Sequence, residues 1–131
     1  MTETPSSPSP GRILLVEDDP DAAIFFRDVL TGRGGYDVTH TANPALALSL
    51  ANREPWGLLL TDLHLPGMTG LELLAAIRAA RPALPVMMVS AHDPALLHLP
   101  CGFPDAFLHK PVPAGHLLTT VAGLLARHST S

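Results

Sequence analysis

The chain has 131 residues, 47% of them hydrophobic, with a mean hydropathy of +0.26 and a formal net charge of −4. That supports one domain with a real core and excludes general disorder. The acidic balance argues against a nucleic-acid surface, the single cysteine (Cys101) excludes an internal disulfide and a cysteine-based zinc site, and no apolar run reaches the ~18 residues of a membrane span.

Residues 1–10 are rich in proline and serine and lack an apolar signal region, so they read as a flexible tail. Arg12 to Val16 is a short apolar run, the first buried strand. It ends in Glu17-Asp18-Asp19-Pro20. Asp19 before Pro20 is a good helix cap. Capping uses one acid, however, and three adjacent acids repel one another. A hard divalent cation with oxygen ligands accounts for the cluster better. Asp21 to Thr31 follows as a helix, with Ala22, Ile24, Phe25, Phe26, Val29 and Leu30 as its apolar face. Gly32, Gly34 and Gly35 stop it, and Tyr36 to His40 alternates as a half-buried strand.

Asn43-Pro44 opens a second helix with Leu46, Ala47 and Leu50 on one face, and Pro55 ends it. Leu58 to Asp62 is a strand buried on both sides, the habit of parallel sheets. Its carboxyl end presents Asp62, too early to cap a helix beginning near Thr69, which points to a site residue. Thr69 to Ala80 is that helix, with Thr69 and Glu72 as a capping box and Leu71, Leu74, Ala75 and Ile77 facing inward. Val86 to Val89 is a fourth strand, running into Ser90-Ala91-His92. The stretch from Pro94 to Pro104 is irregular, with room for one or two helical turns. Ala106 to Leu108 is a fifth strand, followed by His109-Lys110-Pro111. Ala114 to Arg127 closes the chain as a helix burying Leu117, Leu118, Val121, Leu124 and Leu125.

Strand and helix alternate five times, which indicates an α/β fold: a doubly wound, five-stranded parallel sheet with helices on both faces. All carboxyl strand ends then share one edge, where such sheets bind ligands. That edge collects Glu17-Asp18-Asp19, Asp62, Ser90 and Lys110. Acids for a divalent cation, one isolated carboxylate, a hydroxyl and a lysine make a kit for phosphoryl transfer, with Asp62 as nucleophile.

In these motifs the sequence resembles the receiver domain of two-component response regulators. The resemblance is carried by Ile13-Leu14-Leu15-Val16-Glu17-Asp18-Asp19, by Leu60-Thr61-Asp62 through Pro66-Gly67-Met68-Thr69-Gly70, by Met88-Val89-Ser90-Ala91 and by Leu108-His109-Lys110-Pro111. It covers residues 12 to about 127 and implies the flavodoxin-like strand order 2-1-3-4-5. Residues 11–128 would be the receiver domain, with tails at 1–10 and 129–131. The resemblance implies that Asp62 accepts the phosphoryl group and that Mg²⁺ is the cofactor. Asp19 would bind the ion directly, Asp18 would assist, and Asp62 and the backbone carbonyl of His64 would complete the protein ligands. Ser90 would contact the phosphoryl group and move on activation, with Phe107 as the aromatic switch. Lys110 would complete the catalytic set, its bond to Pro111 cis. The donor would be a phosphohistidine on a sensor histidine kinase or a phosphotransfer protein, and the switched domain would signal to a downstream protein target. A homodimer is among the states allowed. No direct nucleic-acid contact and no membrane contact are implied, and a cytoplasmic location is expected.

The chain departs from the family pattern between Ser90 and Lys110, where it is short and contains Pro94, Pro100 and Pro104. A short or distorted fourth helix is expected there. His64 and His92 would flank the site mouth, either tuning phosphoryl lifetime with pH or simply exposed to solvent. Cys101 reads as loop packing, and His98, His116 and His128 as surface positions. No output domain follows residue 131, so the expectation is either action through protein contacts or one domain of a longer regulator. Three other functions share parts of this pattern. An aspartate-nucleophile phosphatase would need an acid where His64 stands. A flavin mononucleotide carrier would not place three acids after strand one. A docking module would have lost Asp62, Asp19 or Lys110, and all three are present.

Overall fold

The computed structural model describes residues 11–91 and 104–130, with side chains as far as Ala126. Five strands form one parallel sheet: β1 (Arg12–Val16), β2 (Asp37–Thr41), β3 (Leu58–Asp62), β4 (Val86–Ser90) and β5 (Ala106–His109), in the spatial order β2-β1-β3-β4-β5. Between and after them lie α1 (Pro20–Asp28), α2 (Pro44–Arg53), α3 (Gly70–Ala80) and a C-terminal helix, α4 (Ala114–Thr130). The fold class and strand order match the expectation. The short or distorted fourth helix, His92, His98 and Cys101 fall outside the described residues.

The period of two in a strand sorts the core into two layers. Ile13 and Leu15 of β1, Leu58 and Leu60 of β3, and Met87 and Val89 of β4 join Phe26, Leu30, Leu117 and Val121 on one face, under α1 and α4. Leu14, Val16, Leu59, Val86 and Met88 join Ala47, Ala51, Leu73, Leu74 and Ile77 on the other, under α2 and α3. β3 and β4 are buried along their whole length, so side chains at their carboxyl ends are held in a packed frame.

The helix starts follow from local chemistry. Asp19 caps α1 by accepting from the Asp21 N–H at 3.1 Å. Asn43 caps α2 through Ala45 N–H at 2.9 Å, and Thr69 and Glu72 form the capping box of α3. Each such cap contributes about 1 kcal/mol.

Helix faces depart from the expectation in a consistent way. Ile24 and Phe25 are exposed, as is Leu46, while Ala23, Ala47 and Ala51 are buried. On α3 the buried stripe is Gly70, Leu73, Leu74 and Ile77, with Ala75 exposed. That stripe is the i, i+3, i+4, i+7 set, and small residues take the inward positions where helix and sheet approach closely. α1 ends at Asp28 in a wide turn, Val29–Arg33, closed by Gly34 N–H to Val29 O at 3.1 Å. A Cβ on Gly34 would lie 2.7 Å from both the Leu30 carbonyl and the Tyr36 ring, so the turn needs glycine there. β2 consequently starts at Asp37, one residue later than expected. α4 continues to Thr130, past the expected end at Arg127 and into the expected 129–131 tail, since no glycine or proline interrupts that stretch.

Candidate functional site

The parallel sheet brings the ends of β1, β3, β4 and β5 to one edge. Asp62 is the last residue of β3, and the adjoining Leu63 N–H continues the ladder to Val89 O at 3.0 Å. Asp62 is 7% exposed. Across the sheet Lys110 N–H donates to Ser90 O at 2.7 Å, which ties the end of β5 to that of β4. The Lys110–Pro111 peptide is cis.

Lys110 is the hub. Its Nζ donates to Glu17 Oε1 at 3.0 Å and to Asp62 Oδ2 at 3.1 Å. Glu17 is buried, and its other oxygen accepts from Asp19 N–H at 3.2 Å. Burial first, and then the neighbouring Asp62 carboxylate, push the Glu17 carboxyl up to about 7, with Lys110 opposing. Burial works against the Lys110 ammonium, but its hydrogen bonds to Glu17 and Asp62 outweigh that and raise its pKa.

Carboxylate oxygens of Glu17, Asp18 and Asp62 lie within 4.8 Å of one another. Asp19, expected as a direct ligand, lies outside this cluster, and its Oδ1 accepts from the Asp21 N–H at the start of α1. Glu17 lies within the cluster instead. Its N–H extends the sheet by one bond to Thr41 O at 3.1 Å, and this turns the side chain into the site.

The other expected residues are placed as follows. Ser90 is fully buried at the end of β4. His64 is exposed beside the site, with its N–H 3.4 Å from Asp62 Oδ1. Phe107 is half-buried on β5, paired in register with Met88 and packed on the core layer under α2 and α3. Sequence reasoning missed Gly70. A Cβ there would lie 2.5 Å from the Asp62 carbonyl oxygen, so the start of α3 rests directly on the Asp62 backbone. Only the position of a glycine at the first turn of a capped helix hints at this.

An open hollow of about 700 Å³ adjoins the site, lined by Ala22, Phe25 and Phe26 of α1 and by Lys110 to Ala114. Exposed Phe25 stands at its border.

Over residues 13–122 the sequence matches the response regulator receiver domain family. The chain belongs to that family. It is 38% identical over 117 residues to the response regulator protein PilR of Pseudomonas aeruginosa, an alignment covering 87% of this chain and 26% of that one. With the response regulator receiver protein CpdR of Brucella abortus it shares 42% over 79 residues, 60% of this chain and 65% of that one. This receiver domain thus spans about a quarter of the length of PilR and of similar curated relatives. Among solved structures, a receiver domain protein from Methanospirillum hungatei superposes with a TM-score of 0.82 at 30% identity, covering 91% of this chain and 96% of that one. The receiver domain of the sensor histidine kinase PA1611 from Pseudomonas aeruginosa gives 0.79 at 28%, covering 88% and 97%, and holds a magnesium ion in its active-site cleft. No helix among the described residues of this receiver domain is long and apolar enough to cross a membrane.

Proposed function

We propose that the domain accepts a phosphoryl group on Asp62 from a phosphohistidine of a sensor kinase or phosphotransfer protein, in a Mg²⁺-dependent reaction, and signals by a change of conformation to a downstream protein. The observation that carries this is the ion pair of one lysine with two buried carboxylates inside a cluster of three. Three carboxyl groups face one ammonium, so the cluster stays net negative even where Glu17 keeps its proton, which suits a divalent cation. The donors are all oxygen, as Mg²⁺ requires. Asp18 and Asp62 would hold the ion with the His64 carbonyl, and Glu17 beside them. Asp19 is not part of this proposal. When bound, the ion neutralises charge on the phosphoryl oxygens.

The protein groups do the rest. An Asp62 carboxylate oxygen attacks phosphorus, the phosphorus–nitrogen bond breaks, and the imidazole of the donor leaves with the electron pair. Lys110 holds Asp62 in place before attack and offers its ammonium to a phosphoryl oxygen afterwards. Ser90 supplies a hydroxyl to another oxygen. Its movement, with that of Phe107, biases two conformations of the β4–β5 side. Water attack on the acyl phosphate returns the domain to its starting state, and His64 stands where that access is controlled. Exposed Ile24 and Phe25 and the hollow beside Lys110 offer the donor protein an apolar surface next to the acceptor.

Incubation with phosphoramidate and Mg²⁺, followed by intact-mass spectrometry, tests the reading. The expected result is one added phosphoryl group in the parent and none in Asp62→Asn or in the presence of a chelator. No adduct and no phosphate release would leave a docking module; rapid phosphate release without an adduct would indicate a hydrolase.

A further inference from the structure

We infer that His40 is a positioning residue for the cation site, holding the peptide that aims Asp18. The inference rests on the metal reading proposed above. β1 and β2 pair with Val16 opposite Thr41, and the ladder runs one bond further, from Glu17 N–H to Thr41 O at 3.1 Å. A regular parallel ladder would next bond the Glu17 carbonyl to the N–H of Asn43. That N–H is taken instead by Thr41 Oγ1 at 3.1 Å, because Asn43 has turned to cap α2. The Glu17 carbonyl accepts from His40 Nε2, at 2.7 Å. Imidazole replaces the missing strand donor.

The consequence falls on Asp18. The carbonyl of Glu17 and the nitrogen of Asp18 share one planar peptide, so holding that oxygen sets the direction in which Asp18 leaves the strand. The Asp18 carboxylate has no hydrogen-bond partner among the described residues, and only its backbone aims it at Glu17 and Asp62. Groups that orient a ligand in this way affect metal affinity by about tenfold or more.

The two side-chain amides separate this role from general packing. Glutamine carries an N–H as many bonds from the backbone as Nε2, whereas asparagine is one bond too short. Mg²⁺ titration of the whole chain, followed by ¹H–¹⁵N NMR, gives the dissociation constant. His40→Gln is expected to stay within about twofold of the parent and His40→Asn to weaken about tenfold. Unfolding midpoints of the two variants in chelator should match. Equal Mg²⁺ affinity in His40→Asn and the parent overturns the inference, as does equal weakening of both variants. A parent with no saturable response overturns the metal reading itself and the inference with it.

Discussion

Lys110 is ion-paired with both Glu17 and Asp62, so its loss leaves two adjacent buried carboxyl groups without a counter-charge. Lys110→Met should cost about 1–3 kcal/mol in urea unfolding, below the full cost of breaking a buried pair because the lysine is partly exposed. Phosphorylation by phosphoramidate should slow at least about tenfold in the same variant. Glu17 adds a pH signature. Its carboxyl titrates at 4.5 when unfolded and at about 7 in the folded site. Between those values the folded state keeps a proton that the unfolded chain has lost. Stability from this group is therefore full below pH 4.5 and declines as pH rises towards 7, by at most about 3 kcal/mol. The Lys110 contribution persists through that window, since its pKa is raised and it loses its proton only in strong alkali. Urea unfolding in chelator across this range should show the decline in the parent and a smaller one in Glu17→Gln.

At the scale of elements, the site depends on how closely α3 approaches β3. Gly70→Ala gains up to roughly 1 kcal/mol of helix propensity. Its methyl group meets the Asp62 carbonyl and the Leu63 Cα, both backbone and neither free to swing away. The clash wins, and a net loss of about 1–2 kcal/mol is expected by thermal or urea unfolding, with slower phosphorylation of Asp62. β1 and β3 were legible residue for residue, because unbroken apolar runs bounded by Arg12 and Asp62 admit one placement. All three caps were legible from Asp19-Pro20, Asn43-Pro44 and Thr69 with Glu72. Helix faces were not, since Ile24 and Phe25 are apolar whether they face the core or a partner. The order of the three acids was also hidden. Glu17, Asp18 and Asp19 differ only in how far the ladder with β2 continues past Val16, and that depends on Thr41 and His40, more than twenty residues away in the chain.

Among the described residues, two surfaces of different chemistry flank the proposed acceptor: the acidic cluster and the apolar border of α1. On the proposed function a small donor needs only the first and a protein donor both. Phe25→Asp should therefore leave phosphorylation by phosphoramidate within about twofold while slowing transfer from a phosphorylated partner about tenfold or more. Equal slowing with both donors would show that Phe25 acts through the fold. The chain spans about a quarter of the length of relatives such as PilR.

Asp62, held by Lys110 beside Glu17 and Asp18, is the proposed phosphoryl acceptor. Borohydride reduction of the phosphorylated chain converts an aspartyl phosphate into homoserine, and peptide mass spectrometry then locates it. Homoserine is expected at position 62 and nowhere else, dependent on Mg²⁺. Homoserine at position 18 or 19, or a phosphoryl group that survives on a histidine, would contradict it.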